Sequence, residues 1–241
     1  MLSHNQIKLI RSLKQKKYRQ QHGLFVVEGL KSIVEFVNAA YVIKYLFTID
    51  SSFAKQHEGV AVTEKQLSQI SYLKSPNKAL AVFQIPKPKD IDFSKLIVAL
   101  DDIGDPGNLG TIIRLCDWFG VQDLLCSHHT ADCYNEKVVQ ASMGSLSRVN
   151  VSYVDLPDFL QAYPHPILGT FMDGATVYNT ELPEKALVVM GNEGNGISAA
   201  VEALVTSKIS IPQFGLQQPT ESLNVATATA IMLNEFRRHA Y

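Results

Sequence analysis

The sequence predicts an α/β protein made of a small N-terminal α/β domain and a larger C-terminal domain with a mostly parallel sheet. Short apolar, β-rich runs alternate with helix-like stretches along residues 96–241, a pattern typical of a parallel sheet covered on both faces. Residues 1–89 carry a shorter set of the same kind. Two prolines with charges between them in IPKPKDID indicate an extended connector between the domains. We place the linker at residues 90–95.

The N-terminal domain is predicted to begin with a short amphipathic helix. Its apolar residues Ile7, Ile10 and Leu13 recur at helical spacing behind Ser3, a candidate N-cap. The run LFVV predicts a strand, and an apolar stripe along residues 30–37 predicts a helix after it. YLFTI, VAV and ALAVFQI predict three more strands, with EKQLSQI as a helix between the last two.

In the C-terminal domain six apolar runs predict the strands of the sheet: LIVAL, DLLCS, VNVSYV, PILGTF, ALVVM and KISI. The helix after LIVAL is expected to turn an apolar face inward and to stop at Gly120. The segment SLNVATATAIMLNEFRRH predicts a terminal helix, with Arg237 and Arg238 near its negative dipole end.

Composition narrows the class of protein. Hydrophobic residues make up 46% and charged residues 19%, values that fit a folded globular protein. The first residues show no cleavage signal and no segment holds eighteen apolar residues in a row, so we expect a cytoplasmic protein without a membrane span. The three cysteines are too widely spaced for a zinc or redox pair, and we expect no metal site.

Charge is unevenly distributed along the chain. Residues 1–90 carry a formal charge of +8 and residues 91–241 a charge of −9. A dense basic run near the start suits a phosphate backbone, whose neutralisation releases counterions. A solvated helix face is the alternative. The candidate RNA-binding residues are Lys14, Lys16, Lys17 and Arg19.

The loop DDIGDPGNLGTIIR is the first of three that follow predicted strands, where ligands bind in open parallel sheets. Asn108 is a candidate for chemistry, although a helix N-cap is the plainer interpretation. Arg114 lies in a largely apolar helix, and buried arginine requires an anionic partner. A structural ion pair with Asp117 or Asp102 is the alternative to a functional role.

The second loop, VVMGNEGNGIS, holds three glycines and two asparagines between a strand and a helix. Glycines at this density let the backbone approach a ligand closely. Their GxxGxG spacing reverses the dinucleotide-binding pattern, and no lysine follows as in a phosphate-binding loop, so both classes are disfavoured. Glu193 lies at the tip of this loop, and a solvated turn carboxylate is its alternative interpretation.

The third loop, ISIPQFGLQQPTESLNVATATA, joins a strand to the terminal helix. Ser222 is expected to cap that helix unless it has another role. Asn224 is expected within the first turn, with its side chain directed toward whatever occupies the loop.

Together, the three motifs in this order resemble the SpoU-type (TrmH-like) RNA 2′-O-ribose methyltransferases of the SPOUT superfamily. The resemblance is clear over residues 96–241, and KKYRQQHGLFVVEGLKSI looks like the family's small RNA substrate-binding domain. GLQQPTE is longer than the family's usual loop. The family's catalytic positions match Asn108, Arg114, Glu193, Ser222 and Asn224.

This resemblance implies a C-terminal sheet tied in a deep trefoil knot, a feature otherwise nearly absent from proteins. It also implies S-adenosylmethionine as cofactor, a homodimer formed through the C-terminal domain, and an RNA substrate, with ribosomal RNA favoured over transfer RNA. Main-chain groups near five residues would hold the cofactor: Thr170, Gly191, Gly196, Ile211 and Leu223.

A ribose hydroxyl is a poor nucleophile and needs alignment and help in losing its proton. Because a guanidinium cannot ordinarily be deprotonated, we expect Arg114 to bind phosphate and stabilise the developing alkoxide. Asn108 and Glu193 would orient Arg114 and the sugar, while Ser222 and Asn224 would shape the methionyl end of the pocket. A non-catalytic dimeric RNA-binding protein that keeps the knot, and a nucleotide-dependent enzyme of ordinary doubly wound fold, remain alternatives.

Overall fold

The computed structural model describes residues 2–215 and 222–238, and the chain divides into two compact units. The N-terminal unit runs to Lys87 and also includes Asp132–Arg148, while the C-terminal unit holds Pro88–Ala131 and the chain from Val149 onward. The strands are β1 (Leu24–Glu28), β2 (Ile43–Thr48), β3 (Val60–Ala61), β4 (Ala79–Gln84), β5 (Ile97–Leu100), β6 (Asp123–Cys126), β7 (Asn150–Tyr153), β8 (Ile167–Thr176), β9 (Leu187–Met190) and β10 (Ser207–Ser210). The α-helices are α1 (His4–Ser12), α2 (Lys16–His22), α3 (Leu30–Asn38), α4 (Ser51–Gln56), α5 (Glu64–Ile70), α6 (Pro106–Trp118), α7 (Glu136–Ala141), α8 (Leu156–Gln161), α9 (Ala199–Glu202) and α10 (Val225–Arg237).

The strands and helices predicted from apolar periodicity are confirmed in both units. Ser3 caps α1 as expected, and Gln6 completes a capping box by reaching back to the Ser3 amide. Gly120 follows the end of α6 with a φ of 67°, the left-handed conformation in which glycine terminates a helix without a Cβ clash.

The N-terminal sheet has the order β1-β4-β2-β3, with β4 antiparallel to both of its neighbours. Aromatic side chains fill one side of this sheet: Phe36 lies 5.5 Å from Phe25 and 5.4 Å from Phe83 between ring centroids. All three rings are fully buried, so they supply much of the apolar surface that stabilises the unit.

One segment belongs to a different unit from the one its position in the sequence predicts. Residues 132–148, which include α7, lie in the N-terminal unit although the sequence analysis places them within the 96–241 domain. Two long-range contacts explain this: Asp132 pairs with Arg19, and the Tyr134 ring lies 4.6 Å from Phe25. The chain first passes from one unit to the other at residues 87–88, just before the predicted linker at 90–95, and it returns to the N-terminal unit for residues 132–148.

Arg19 has a structural role, which corrects its inclusion among the RNA-binding candidates. Its side chain is 3% exposed. The Nε atom donates to Asp132 Oδ2 at 3.0 Å, and Nη1 donates to the carbonyls of Leu13 and Lys14 at 2.8 and 2.7 Å. A guanidinium with these internal partners has no surface left for a phosphate.

The C-terminal sheet is entirely parallel, with the order β10-β8-β9-β5-β6-β7. The central strands β5, β6 and β9 are buried along their whole length, as expected for a sheet covered on both faces. The loops after β5, β9 and β10 leave the carboxyl edge of this sheet, which places the three predicted motifs at one edge.

Helices α6 and α10 run parallel, because hydrogen bonds join both pairs of ends. At the start, Asn224 Nδ2 donates to Asn108 Oδ1 at 2.9 Å. At the far end, Arg237 Nε donates to the Phe119 carbonyl at 2.8 Å and Nη2 donates to the Gly120 carbonyl at 3.2 Å. Arg237 therefore neutralises the carbonyl end of α6 and aligns the two helices.

The three cysteines, Cys116, Cys126 and Cys133, are buried and form no disulfide within the described residues. None of the helices within residues 2–215 and 222–238 has the length and apolar character needed to span a membrane. The same residues contain no cluster of three or more His, Cys, Asp or Glu side chains that could hold a metal ion.

We predict that Arg19→Ala lowers the free energy of unfolding by about 3 kcal/mol, because it leaves the Asp132 carboxylate partly buried without its partner. Lys17→Ala, two residues earlier in α2 and exposed, is the matched control and should change stability by no more than about 0.5 kcal/mol. Urea unfolding monitored by circular dichroism measures both. Equal stability of the two variants would contradict a structural role for Arg19.

Candidate active site

The glycine-rich loop after β9 closes on itself through its backbone. Asn192 N donates to Gly196 O, and Gly196 N donates to Asn192 O, both at 2.9 Å. Gly196 has a φ of 69°, and a Cβ on Gly191 would lie 2.5 Å from the Gly196 carbonyl carbon and the Ile197 nitrogen. Glycine is therefore required at both positions, at Gly191 by close approach and at Gly196 by conformation.

Two side chains not selected from the sequence hold this loop in place. Asn192 Oδ1 accepts from the amides of Gly194 and Asn195 at 2.9 and 3.0 Å, and its Nδ2 donates to the Asp102 carbonyl at 2.7 Å. The buried Asp101 carboxylate accepts from Ser198 N at 2.7 Å. The polar residues at the end of LIVAL-DD and in GNEGNG signalled these roles, since such residues at strand ends need partners.

Three of the predicted catalytic residues form a hydrogen-bonded chain. Asn108 Nδ2 donates to Glu193 Oε1 at 2.8 Å, and Asn108 Oδ1 accepts from Asn224 Nδ2 at 2.9 Å. Asn224 Oδ1 in turn accepts from the amides of Ala226 and Thr227 in the first turn of α10. The start of α10 thus orients Asn224, Asn224 orients Asn108, and Asn108 orients Glu193, so the chain links one residue from each of the three motifs.

The helix caps differ from those expected. Asp105, not Asn108, caps α6, because the helix begins at Pro106 and the Asp105 carboxylate accepts from Asn108 N at 2.8 Å. Asn224, not Ser222, caps α10, so Asn224 precedes the first turn instead of lying within it. Both corrections follow from where each helix begins. The Asn108 side chain is consequently free to bind Glu193.

Arg114 lies on the exposed surface of α6. No hydrogen bond or ion pair joins its guanidinium to another residue within the described parts of the chain, whether Asp102, Asp117 or any other. Six residues along an α-helix correspond to a rotation of about 240°, so Arg114 and Asn108 project from different sides of α6. The guanidinium is therefore available to a ligand or a second chain.

A cavity of about 690 Å³ lies between β8, the loops after β9 and β10, and one side of α10. Its lining includes all five residues predicted to hold a cofactor, namely Thr170, Gly191, Gly196, Ile211 and Leu223. Glu193 and Ser222 also line it. Asn108 donates to the Glu193 carboxylate and accepts from Asn224, so both asparagines lie beside the edge of the cavity. Residues 216–221, most of the long GLQQPTE loop, lie outside the described residues.

Comparison with models of protein families assigns most of the chain to two known domain families. The model of the SpoU rRNA methylase family matches residues 95–234, more than half of the sequence. The chain belongs to the SpoU rRNA methylase family. A second model, of the MRM3-like substrate binding domain, matches residues 4–81.

The protein is similar to other members of this family over nearly its whole length. The 23S rRNA (guanosine(2553)-2′-O)-methyltransferase RlmP of Bacillus subtilis is 28% identical, with 94% of each chain covered. A structure from Porphyromonas gingivalis assigned to the TrmH family of RNA methyltransferases has a TM-score of 0.91 at 38% identity, covering 99% of each chain. The SpoU methyltransferase AviRb of Streptomyces viridochromogenes, in complex with AdoMet, has a TM-score of 0.88 at 26% identity over 99% and 98%.

The remaining RNA-binding candidates of this SpoU family member are exposed. Lys14, Lys16 and Lys17 lie on the surface around the α1–α2 connection. The ammonium groups of Lys14 and Lys17 lie 4.7 and 4.8 Å from the ring centroids of Tyr72 and Tyr18. These three lysines are therefore accessible to a phosphate, whereas Arg19 is not.

We predict that Asn224→Asp keeps the helix-capping contribution to stability, because aspartate caps a helix as well as asparagine and its charge favours the helix start. It loses only the exposed hydrogen bond that Asn224 Nδ2 donates to Asn108 Oδ1. Asn224→Ala removes the capping oxygen and should lower the free energy of unfolding by about 1 kcal/mol. Urea unfolding compares the two variants. Equal losses would show that capping is not what Asn224 contributes to stability.

Proposed function

We propose that the protein transfers a methyl group from S-adenosylmethionine to a ribose 2′-hydroxyl of ribosomal RNA in the cytoplasm. The observation that carries the proposal is the cavity walled by the glycine-rich loop, with the Glu193–Asn108–Asn224 chain at its edge. Membership of the SpoU rRNA methylase family and similarity to a 23S rRNA 2′-O-methyltransferase support ribosomal RNA in preference to transfer RNA.

The cavity fits S-adenosylmethionine in size and chemistry. Its volume of about 690 Å³ lies in the range of small-molecule sites. Gly191 allows the backbone of the loop to approach a ligand, and Met190, Val225 and Met232 supply apolar surface. Glu193 is the one ionisable side chain among the described lining residues. Thr170, Gly191, Gly196, Ile211 and Leu223 would hold the cofactor mainly through main-chain groups and apolar contact.

When bound, the cofactor supplies a methyl group activated by its positively charged sulfur. Glu193 and Asn108 would orient the ribose, since Asn108 is itself fixed by Asn224. Ser222 would shape the methionyl end of the cavity. The starts of α6 and α10 lie side by side here, and their partial positive charge favours negative groups of the RNA or of the cofactor.

Arg114 would bind an RNA phosphate and stabilise the negative charge that develops on the ribose oxygen. Its guanidinium stays protonated, so the hydroxyl proton leaves to water or to a phosphate oxygen. Because Arg114 and Asn108 project from different sides of α6, we propose a homodimer through the C-terminal unit in which Arg114 of one copy completes the site of the other. The trefoil knot implied by the family resemblance stays a prediction.

We predict that the wild-type protein methylates ribosomal RNA with labelled S-adenosylmethionine and leaves transfer RNA unmodified.

We predict that Gly191→Ala abolishes cofactor binding, because the added Cβ would lie 2.5 Å from backbone atoms of Gly196 and Ile197. Gly194→Ala is the matched control, since its Cβ would lie 3.6 Å from Asn192 Oδ1, an ordinary contact. Calorimetry and methyl incorporation measure the two steps.

A folded wild-type protein that binds neither S-adenosylmethionine nor its demethylated product would refute this function. It would instead fit a non-catalytic RNA-binding protein. Incorporation into transfer RNA alone would refute the assignment of the substrate while leaving the chemistry intact.

We predict that Arg114→Ala lowers methyl transfer by about 10²-fold, as loss of a charge-stabilising donor does, while cofactor affinity stays within a few-fold. Arg114→Lys should remain badly impaired, because lysine keeps the charge but lacks the planar fork of donors. Single-turnover transfer, normalised to folded dimer by light scattering, measures both. Near-wild-type transfer by the alanine variant would exclude Arg114 from the reaction.

A further inference from the structure

The N-terminal unit contains a second cavity, of about 290 Å³, whose described lining residues belong to none of the three motifs. It lies between β1, the first turn of α3, the connection from α5 to β4, and α7. Val26, Leu73 and Val139 form its apolar surface, and Tyr72 adds an aromatic ring. Both the MRM3-like domain and the 132–148 segment contribute to it.

The lining is rich in polar groups without internal partners. Six polar side chains of the lining make no hydrogen bond or ion pair with any described residue: Ser32, Lys74, Asn77, Glu136, Lys137 and Gln140. The Oε2 atom of Glu136 is buried and accepts no hydrogen bond within the described chain. Native proteins rarely leave a buried acceptor unsatisfied, so this oxygen points to a donor from outside the chain.

The other carboxylate of the cavity, Glu28, is already engaged. It accepts from Ser71 Oγ at 2.6 Å and from Tyr72 N at 2.7 Å. Burial raises the pKa of Glu28, although these two hydrogen bonds act against the rise. Glu28 therefore holds the wall of the cavity, and Glu136 is the acceptor left for a ligand.

These groups define the chemistry of the ligand. It must offer hydrogen-bond donors to Glu136, an apolar face to Val26 and Leu73, and negative charge to the exposed Lys74 and Lys137 at the rim. A nucleotide whose base has an exocyclic amino group meets all of these needs, and proteins read unpaired RNA bases by such contacts. Uracil lacks the amino group.

We infer that this cavity binds one unpaired nucleobase bearing an exocyclic amino group, from a nucleotide of the RNA substrate other than the one methylated. Glu136 accepts from the base, and Lys74 and Lys137 contact the adjoining phosphate. The inference rests on the proposed function for the nature of the substrate, but the cavity belongs to the N-terminal unit alone.

Saturation-transfer NMR on the full-length protein tests this inference, with S-adenosylhomocysteine added to occupy the larger cavity. The probes are 5′-GMP, 5′-CMP, 5′-UMP and inorganic phosphate. We expect 5′-GMP and 5′-CMP to bind about tenfold more tightly than 5′-UMP, the discrimination that a good base-edge contact supplies. Glu136→Gln should remove this preference, and Asn77→Ala, an independent exposed change in the lining, should weaken 5′-GMP binding. Glu64→Gln, an exposed carboxylate elsewhere in the unit, should leave both unchanged.

Equal binding of all three nucleotides, binding of phosphate as tight as that of 5′-GMP, or a preference unaltered in Glu136→Gln would overturn the inference. Methyl transfer by wild type is measured on the same preparation. Transfer without nucleotide binding would refute only this inference, whereas nucleotide binding without transfer would refute only the proposed function.

Discussion

Asn108 donates a hydrogen bond to Glu193 and accepts one from Asn224, and the geometry of the site depends on this pair of bonds. Each residue follows a different strand of the parallel sheet, so the chain of bonds links all three loops, and it adds to the bonds that already join Asn192 and Ser198 to Asp102 and Asp101. Asn224 also caps α10, which couples the orientation of the site to the start of that helix. Arg237 binds the far end of α6 and keeps the two helices parallel. The N-terminal ends of α6 and α10 therefore lie side by side at the Asn108–Asn224 hydrogen bond.

The glycine-rich loop shows how packing of the backbone produces a binding surface with few charges. Gly191 has no room for a side chain, and Gly196 adopts a φ that other residues rarely adopt. The Asn192 side chain accepts hydrogen bonds from the amides of Gly194 and Asn195. The Asp101 carboxylate accepts one from the amide of Ser198. The backbone of this loop is thus held by hydrogen bonds within the protein, and a preorganised loop loses less conformational entropy on binding a ligand.

Some basic residues of the N-terminal unit stabilise its fold, and others lie exposed on its surface. Arg19 lies in the same basic run as Lys14 and Lys17, yet it is buried against Asp132 while the lysines remain exposed. The same ion pair, together with the Tyr134–Phe25 ring contact, holds residues 132–148 in this unit. That segment brings Glu136 to the second cavity, so the arginine indirectly sets the chemistry of a surface that it does not itself contact.

The sequence by itself determined the strands, the helices and the membership of the main cavity. Apolar periodicity is local, which is why LIVAL or the stripe of α3 could be assigned without the fold. The resemblance to the SpoU family, carried by the three motifs, implied cavity residues such as Gly191 and Ile211. Tertiary structure decided the roles that depend on partners distant in the chain. The helix starts made Asp105 the cap and released Asn108 to bind Glu193, 85 residues away. Arg19 became structural because its carboxylate lies 113 residues further on, a distance that no local pattern records.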